Sequence, residues 1–390
     1  MTELAEGLVR RGHQVRVVTG MPNYPQRRIY EGYRGKLYIT EQRHGVTVQR
    51  CYVRIRPQPG LVDRALLEGS FVVTSFFQAL KGWRPDVILL TIPPLTTCVP
   101  AAAIATLQRA PIVLNVQDIL PDAAVHTGLL TNQKVIRTFE ILEQFAYRRA
   151  AKISVIAEGF VDNLREKNVD LDKIVRIPNW VDVDFICPKD KASSYFRTEN
   201  GLEGKFIAMY SGNIALTQGL ENVVKAAALL KDLPDLAIAI VGEERALEPL
   251  RELCRECEAD NVVLRPFQPR EKLPEMLAAA DVGLVVQKKN VLCFNMPSKI
   301  PVILASGRPI LASVPADGTA AKAVRESGGG IVVPPEDPDA IAQNLRELYR
   351  DRDRVENLGH LARQCAVDRY SFDRSLDRYE SLFSSLTHAR

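Results

Sequence analysis

Short β-branched apolar runs alternating with amphipathic stretches constrain this chain more than any other feature. A first series comprises Gln14–Thr19, Asp86–Thr91, Pro111–Val116, Lys152–Ala157 and Ile174–Pro178. A second comprises Phe206–Gly212, Ala237–Gly242, Asn261–Phe267, Asp281–Val286, Pro309–Ser313 and Gly330–Pro335. Runs that are apolar along their whole length belong to strands buried on both faces. With helices between them, they predict parallel sheets covered on each side. The stretch Asn179–Phe196 between the two series is polar and Pro-bearing, and reads as a linker. The pattern therefore predicts an α/β chain of two doubly wound, Rossmann-like domains, residues 1–182 and 183–372. Ligands of such sheets bind at the carboxyl ends of the strands, and the deepest cleft is expected between the domains.

The opening of the chain departs from this pattern. It begins on a helix, Thr2–Arg10, followed by Gly12-His13 and a strand. A doubly wound domain usually places a strand and a Gly-rich turn before its first helix. Neither is present, so the first strand is expected to be missing, or the start to lie upstream of this methionine. Loss of a central strand is expected to destabilise the sheet severely.

Composition sets the class. With 390 residues, 46% of them hydrophobic and 25% charged, the chain suits a soluble globular protein of two ordinary domains. MTELAEGLVRRG is amphipathic and does not read as a secretory signal. The longest apolar run, Leu95–Leu107, is too short to span a bilayer and contains Pro100, so a buried helix after a turn is expected there. Seven scattered cysteines suit a reducing, cytoplasmic compartment. Cys254 and Cys257 form the one close pair and lack the second pair or neighbouring His of a zinc site. Charge is unevenly spread. Residues 1–180 carry 24 Lys/Arg against 16 Asp/Glu, whereas residues 181–390 carry 27 against 31. Residues 1–56 hold 11 Lys/Arg and 4 Glu, interleaved with Tyr24, Tyr30, Tyr33, Tyr38 and Tyr52. Such a face suits an anionic membrane surface or an anionic acceptor. Nucleic acid is set aside because no recognised binding module is present.

The segment Phe294–Pro315 carries the clearest chemistry. Pro297-Ser298-Lys299 stands between a buried strand and an apolar helix, Ile300–Ala305, which Gly307 stops before the next strand. A helix opening with Ser and Lys presents free N–H groups, a hydroxyl and a cation at its positive end, which together form a seat for an anion.

Several further motifs follow in a set order: Gly12-His13, Ile177–Asp182 (IPNWVD), Ser211-Gly212-Asn213, Gln218–Leu220, Val241-Gly242-Glu243, and Pro297–Lys299 with Ala305–Pro309. Over Gly12 to about Phe383 their order and spacing resemble the retaining glycosyltransferases of family four, which have the GT-B fold. Gly20–Pro25 (GMPNYP) and Val116–Gly128 (VQDILPDAAVHTG) look most like the bacterial exopolysaccharide and O-antigen branch, similar to colanic-acid-type enzymes. The resemblance implies a nucleotide-sugar, expected to be a UDP-sugar, on the second domain and an acceptor on the first. The final helix, 373–390, is expected to return to the first domain.

The same resemblance implies a set of site residues. Donor binding would fall to Gly212, Asn213, Gln218, Glu243, Arg245, Phe267, Asn295, Pro297, Ser298 and Lys299. The acceptor side would hold Asn23, Tyr24, Asp118, Asp122 and His126. Asp118, Lys299 and Asn213 would act in catalysis. Leu216 and Gln218 stand where the family often has Arg and Lys, and Phe294 and Val302 where many members have glutamates. Lys299 and Arg245 are then expected to neutralise the diphosphate, and Glu243 or Glu244 to hold the ribose. Asp182-Val183-Asp184 spells a carboxylate pair of the kind that holds a divalent ion, but it falls in the linker, so neither metal nor cofactor is expected. The expected activity is transfer of a hexose-type sugar to a lipid-linked glycan, at the inner face of the cytoplasmic membrane. A nucleotide-sugar epimerase and a degenerate glycan- or partner-binding protein are the competing readings.

Overall fold

The computed structural model of the protein describes residues 1–24, 26–56, 60–122, 125, 131–191, 194–215 and 217–387. The chain divides into two compact units. Unit 1 holds Met1–Ile156, Phe160–Ile177 and Leu376–Arg390, and unit 2 holds Ala157–Gly159 and Pro178–Ser375.

Unit 1 contains β1 (Arg16–Gly20), β2 (Tyr38–Arg43), β3 (Val46–Cys51), β4 (Ile88–Ile92), β5 (Ile112–Val116), β6 (Lys152–Val155) and β7 (Ile174–Arg176). They fall into two sheets, ordered β1-β3-β2 and β4-β5-β6-β7. The second sheet is parallel throughout. In the first, β1 runs parallel to β3, and β2 is antiparallel to it. The turn between β2 and β3 is His44-Gly45, with φ of +45° and +82°. Two left-handed residues in a two-residue loop match the twist of a hairpin. Periodicity alone did not indicate this hairpin. Among the described residues β1 and β4 each end their sheet, leaving one edge unpaired. The chain opens on the helix Thr2–Arg10, as its sequence predicts.

The last helix, Phe372–Thr387, contributes Leu376 onward to unit 1. Leu376, Tyr379 and Leu382 are buried. The Tyr379 hydroxyl lies 3.3 Å from Oδ1 of the buried Asn115 on β5. Arg11 bonds Asp377 at 2.6 Å and Glu380 at 2.5 Å. These ion pairs are partly exposed and contribute little. The buried side chains supply most of the attachment, each adding about 1.5–3 kcal/mol.

Unit 2 contains β8 (Phe206–Ser211), β9 (Leu236–Gly242), β10 (Val262–Pro266), β11 (Val282–Val286), β12 (Ile310–Ser313) and β13 (Gly330–Val333). Its single sheet has the order β10-β9-β8-β11-β12-β13, and every pairing is parallel. Side chains alternate across β8. Ile207 and Met209 enter one core, while Phe206, Ala208 and Tyr210 enter the other. Burial on both faces explains why these strands read as continuous apolar runs. At the amino end of the sheet the buried Asp281 joins β11 to β8. Its Oδ2 accepts from the Ile207 N–H and from Arg197, both at 2.9 Å.

Candidate functional site

In unit 2 the chain winds outward in both directions from the neighbours β8 and β11. The loops leaving the carboxyl ends of two such strands diverge, and the crevice between them is where doubly wound sheets bind ligands. After β8 comes Ser211-Gly212-Asn213. After β11 comes the segment ending in Pro297-Ser298, which opens the helix Lys299–Ala305.

Lys299 is the centre of this crevice. Its Nζ is buried and has no hydrogen-bond partner among the described residues. It stands 3.4 Å from the centroid of the Tyr210 ring, a cation–π contact. Burial pushes its pKa from the ordinary lysine value down to about 7. Tyr210 also fixes the loop above it, since its hydroxyl donates to the Asn213 carbonyl at 2.6 Å. Gly212 closes the cage. Its φ is +144°, and a Cβ there would lie 3.1 Å from Lys299 Nζ and 3.2 Å from its Cε. Only glycine holds that backbone without strain and leaves the ammonium its space. Gly212→Ala is therefore expected to lower the melting temperature and to weaken binding of an anionic ligand in this crevice roughly tenfold, for a strain of order 1–3 kcal/mol. Thermal melts and a binding isotherm test this, and wild-type values in both would remove Gly212 from the site.

A cavity of about 320 Å³ runs down from this point. Ser211, Gly212, Asn213, Gln218, Pro297, Ser298 and Lys299 line its polar side. Met209, Leu273, Leu277, Val302 and Ile303 line its apolar side. Arg308 lines it too, anchored by its NH2 group to the Lys189 and Ala278 carbonyls at 2.9 Å each. Burial lowers the Arg308 pKa, and its Nε has no hydrogen-bond partner among the described residues. Lys288 adds a cation beside the loop after β8. Its N–H donates to the Thr217 carbonyl at 2.9 Å, and its ammonium pairs with Glu221 at 3.0 Å. Tyr210, Lys288 and Arg308 were not singled out in the sequence. Tyr210, an aromatic directly before Ser-Gly at a strand end, carried the one signal that pointed here.

The remaining expected donor residues do not line this cavity. Glu243 and Arg245 are exposed at the start of the helix Glu244–Glu256, and Glu244 is bound to Arg251 at 2.6 Å. Phe267 is 52% exposed, and its N–H donates to the Gly242 carbonyl at 3.0 Å. Arg265 turns to Asn200 and to the Leu264 carbonyl. Asn295 is exposed, with its N–H on the Leu292 carbonyl.

The expected acceptor residues belong to unit 1. Asn23 donates to the Met21 carbonyl at 2.9 Å, and Tyr24 is exposed. Asp118 is exposed after β5, and its Oδ1 accepts the Ile119 N–H at 2.9 Å. Desolvation by the surrounding chain raises its pKa, with that N–H opposing. Asp122 accepts from Asn163 at 2.9 Å and from Lys167 at 3.0 Å, and Lys167 also binds the buried Glu143 at 2.9 Å. Asp122 thus has two partners within unit 1. His126 lies outside the described residues. Asp182 turns the chain, its Oδ1 accepting from the N–H groups of Asp184 at 3.1 Å and Phe185 at 2.9 Å. Among the described residues no group of three or more His, Cys, Asp or Glu is placed to hold a metal ion.

Residues 1–180 match the Glycosyl transferase 4-like domain, and residues 194–364 match Glycosyl transferases group 1. The chain is 33% identical over 353 residues to WcaI of Escherichia coli (strain K12), described as a putative colanic acid biosynthesis glycosyl transferase. That match covers 88% of this chain and 86% of the relative. It is 27% identical over 301 residues to WbjE of Pseudomonas aeruginosa, a probable glycosyltransferase, covering 77% and 72%. Among solved structures, sucrose-phosphate synthase from Thermosynechococcus elongatus has a TM-score of 0.75 at 18% identity, covering all of this chain and 92% of that one. Anabaena HepE in complex with UDP has a TM-score of 0.71 at 16% identity, covering 95% and 100%.

Proposed function

This chain belongs to the GT-B glycosyltransferase family, and from that premise we propose that it moves a hexose-type sugar from a UDP-sugar to a lipid-linked glycan, with retention at the anomeric carbon. The observation that carries the reading is the Lys299 ammonium, buried without a hydrogen-bond partner among the described residues, on a side chain that lines a cavity with Gly212, Asn213 and Ser298. A desolvated cation with no counterion is costly, and an entering anion relieves that cost. A nucleoside diphosphate has the charge to do so. The relatives support the pathway: one is described for colanic acid biosynthesis, and the HepE structures hold UDP or UDP-glucose.

In the proposed reaction the bond from the anomeric carbon to the diphosphate oxygen breaks, while the acceptor hydroxyl forms its bond on the same face. Negative charge grows on the leaving phosphate. Lys299 answers it from a fixed position, so little reorganisation is needed as the charge develops. The acceptor proton passes to the departing phosphate oxygen, and no strong side-chain base is required. Asp118 orients the acceptor hydroxyl. Arg27, Arg28, Arg34 and Lys36 on the basic early stretch attract the acceptor's pyrophosphate and an anionic membrane surface.

Diphosphate binding by a lysine and backbone groups needs no divalent ion. Activity is therefore expected to survive EDTA, and Asp184→Asn is expected to cost less than about 0.5 kcal/mol of stability, as befits an exposed turn. Loss of turnover on chelation, restored by manganese, would overturn the metal-independent reading. A thermal-shift panel of nucleotide-sugars tests the donor. A ligand at a hundred times its Kd adds about 2.7 kcal/mol, and UDP-sugars should lead GDP-sugars. One observation favours a second reading, a binding protein without turnover: Val302 presents an apolar side chain to the cavity where the family resemblance expects a carboxylate. Donor binding without transfer or hydrolysis would select it.

A further inference from the structure

Inside unit 1 two carboxylates share one ammonium. Glu143 lies with Ala146 and Tyr147 on the buried side of the helix Gln133–Arg149 and is 3% exposed. Burial pushes its pKa up, and the Lys167 ammonium opposes that. Lys167 directly follows the helix Glu158–Glu166. Its Nζ donates to both Glu143 oxygens at 2.9 Å and to Asp122 Oδ1 at 3.0 Å. Those three contacts take all the donors an ammonium has. Asp122 Oδ2 accepts from Asn163 of the same helix at 2.9 Å. The buried Tyr147 donates its hydroxyl to Glu143 Oε1 at 2.9 Å. Lys167 is also pinned at its backbone. Its N–H donates to the Asn163 carbonyl at 3.1 Å, and its carbonyl accepts from Gln144 at 3.2 Å.

The stability of this cluster does not call for Asp122. Glu143 and Lys167 already balance, whereas the second carboxylate adds like charge and pushes the Glu143 pKa further up. What Asp122 adds is a tie to the segment 117–122 that leaves β5. The other end of that segment is tied as well. Gln117 donates its N–H to the Ile92 carbonyl at 3.0 Å and its Nε2 to Asn115 Oδ1 at 2.9 Å. Asn115 is buried, and the hydroxyls of Thr91 on β4 and Ser154 on β6 each lie 3.3 Å from its side-chain amide. Between the two ties Ile119 and Pro121 are buried, and Asp118 is the exposed residue of the segment.

We infer that Lys167 is a positioning residue for Asp118. By joining Asp122 to the buried Glu143 it clamps the far end of segment 117–122, and so fixes where the Asp118 carboxylate stands at the carboxyl end of β5. Lys167 does not touch Asp118 and acts through the backbone between Asp118 and Asp122. The inference rests on the transfer proposal for its purpose, because there Asp118 orients the acceptor hydroxyl. An orienting group contributes most when its own place is fixed by packing and by supporting hydrogen bonds. A largely buried charge cluster supplies such a fixture, since its members have little water to turn to.

The test is a pH titration of the Asp118 carboxyl carbon in the full chain carrying isotope-labelled aspartate, its signal identified by its loss in Asp118→Asn. In the wild type desolvation holds this carboxyl above the ordinary aspartate range. Asp122→Ala cuts the tie and leaves Lys167 paired with Glu143, so the melting temperature should change little. Lys167→Met strips Glu143 of its cation, so the melting temperature should fall. Release of the segment to water should move the Asp118 titration down in both variants. Direct charge effects would move it in opposite directions, because loss of an acid lowers a neighbouring carboxyl pKa and loss of a cation raises it. Opposite shifts, or a wild-type titration in both, would overturn the inference. Lys167→Arg, which keeps donors for both carboxylates, should retain the wild-type titration. If Lys167→Met does not fold, hydrogen exchange of the Ile119 N–H in Asp122→Ala decides. Exchange at least about tenfold faster is expected as the segment opens, and an unchanged rate would overturn the inference. UDP-glucose binding by the same preparations reads the transfer proposal separately: its absence in the wild type would count against that reaction and leave the clamp on segment 117–122 standing.

Discussion

Lys299→Met is expected to weaken nucleotide-sugar binding roughly thirtyfold or more, about 2 kcal/mol for a lost charge-assisted contact, while leaving the unliganded protein at least as stable. Both halves follow from one geometry. In the free protein the ammonium is buried, meets no acceptor among the described residues and rests on the Tyr210 ring. A buried charge without a partner opposes folding, and a methionine of similar length removes that cost. With an anion in the crevice the same charge has its partner. A stable variant that no longer binds is thus the signature of a ligand cation, whereas a structural lysine would lose stability first. Calorimetric melts and a UDP-sugar isotherm decide the matter, and unchanged affinity would remove Lys299 from the site.

The pH dependence carries the same signature. The folded pKa of Lys299 is pushed down to about 7 by burial, far below the value of an exposed lysine. Between about 7 and the ordinary lysine pKa the unfolded chain holds more protons than the folded one, so this group makes stability rise with pH across that window. An anionic donor binds the protonated form. Its affinity should be full below about pH 7 and fall toward tenfold per unit above it, until the pKa of the complex is reached. Lys299→Met should flatten both slopes. A UDP-sugar is the right probe, because its diphosphate diester does not titrate in this range.

Asp281→Ala is expected to cost about 3–5 kcal/mol, the range for breaking one partner of a buried ion pair. Arg197 and Asp281 are 5% and 2% exposed at the side chain, and meet at 2.9 Å. The same carboxylate accepts the Ile207 N–H. Removing it strands a guanidinium and a backbone donor inside unit 2. Lys191, 2.5 Å away but 48% exposed, can turn to water and adds little. For a unit of this size the melting temperature should drop roughly 6–20 °C. The cluster sits at the amino end of the sheet, opposite the Lys299 crevice, so donor affinity measured well below the melt should be retained. A drop under about 1 kcal/mol would mean that packing, not this carboxylate, holds β11 to β8.

Three features of the structure were not legible in the sequence. The hairpin β2–β3 was not anticipated because Tyr38–Arg43 is polar at most positions and half-exposed. Its signal was the His44-Gly45 pair, which resembles the Asn-Gly and Asp-Gly turns that adopt two left-handed conformations. The helix Leu61–Ala79 buries Thr74, Ser75 and Gln78 and leaves Val62, Leu66, Val73 and Phe77 exposed, and periodicity cannot tell which face meets water. Asp122 stood beside Asp118 in a suggestive loop, yet its carboxylate is occupied by Lys167, 45 residues further on.

What the sequence determined by itself was local. The full-length apolar runs specified strands buried on both faces, and in unit 2 they form one parallel sheet. Gly212 and Pro297-Ser298-Lys299 marked a strand end and a helix start, and both line one cavity. Burial pattern, turn chemistry and helix starts are written in neighbouring residues, so one chain suffices to read them. Only the tertiary structure decided that Lys299 rests on Tyr210, 89 residues earlier, and that the two unit 1 sheets are separate. It alone decided which face of Leu61–Ala79 is left to solvent. Desolvation and charge pairing depend on which distant segments meet, and no local pattern encodes that. For this reason the chemistry of Lys299, a half-neutral amine awaiting an anion, emerged only when β8 and β11 lay side by side.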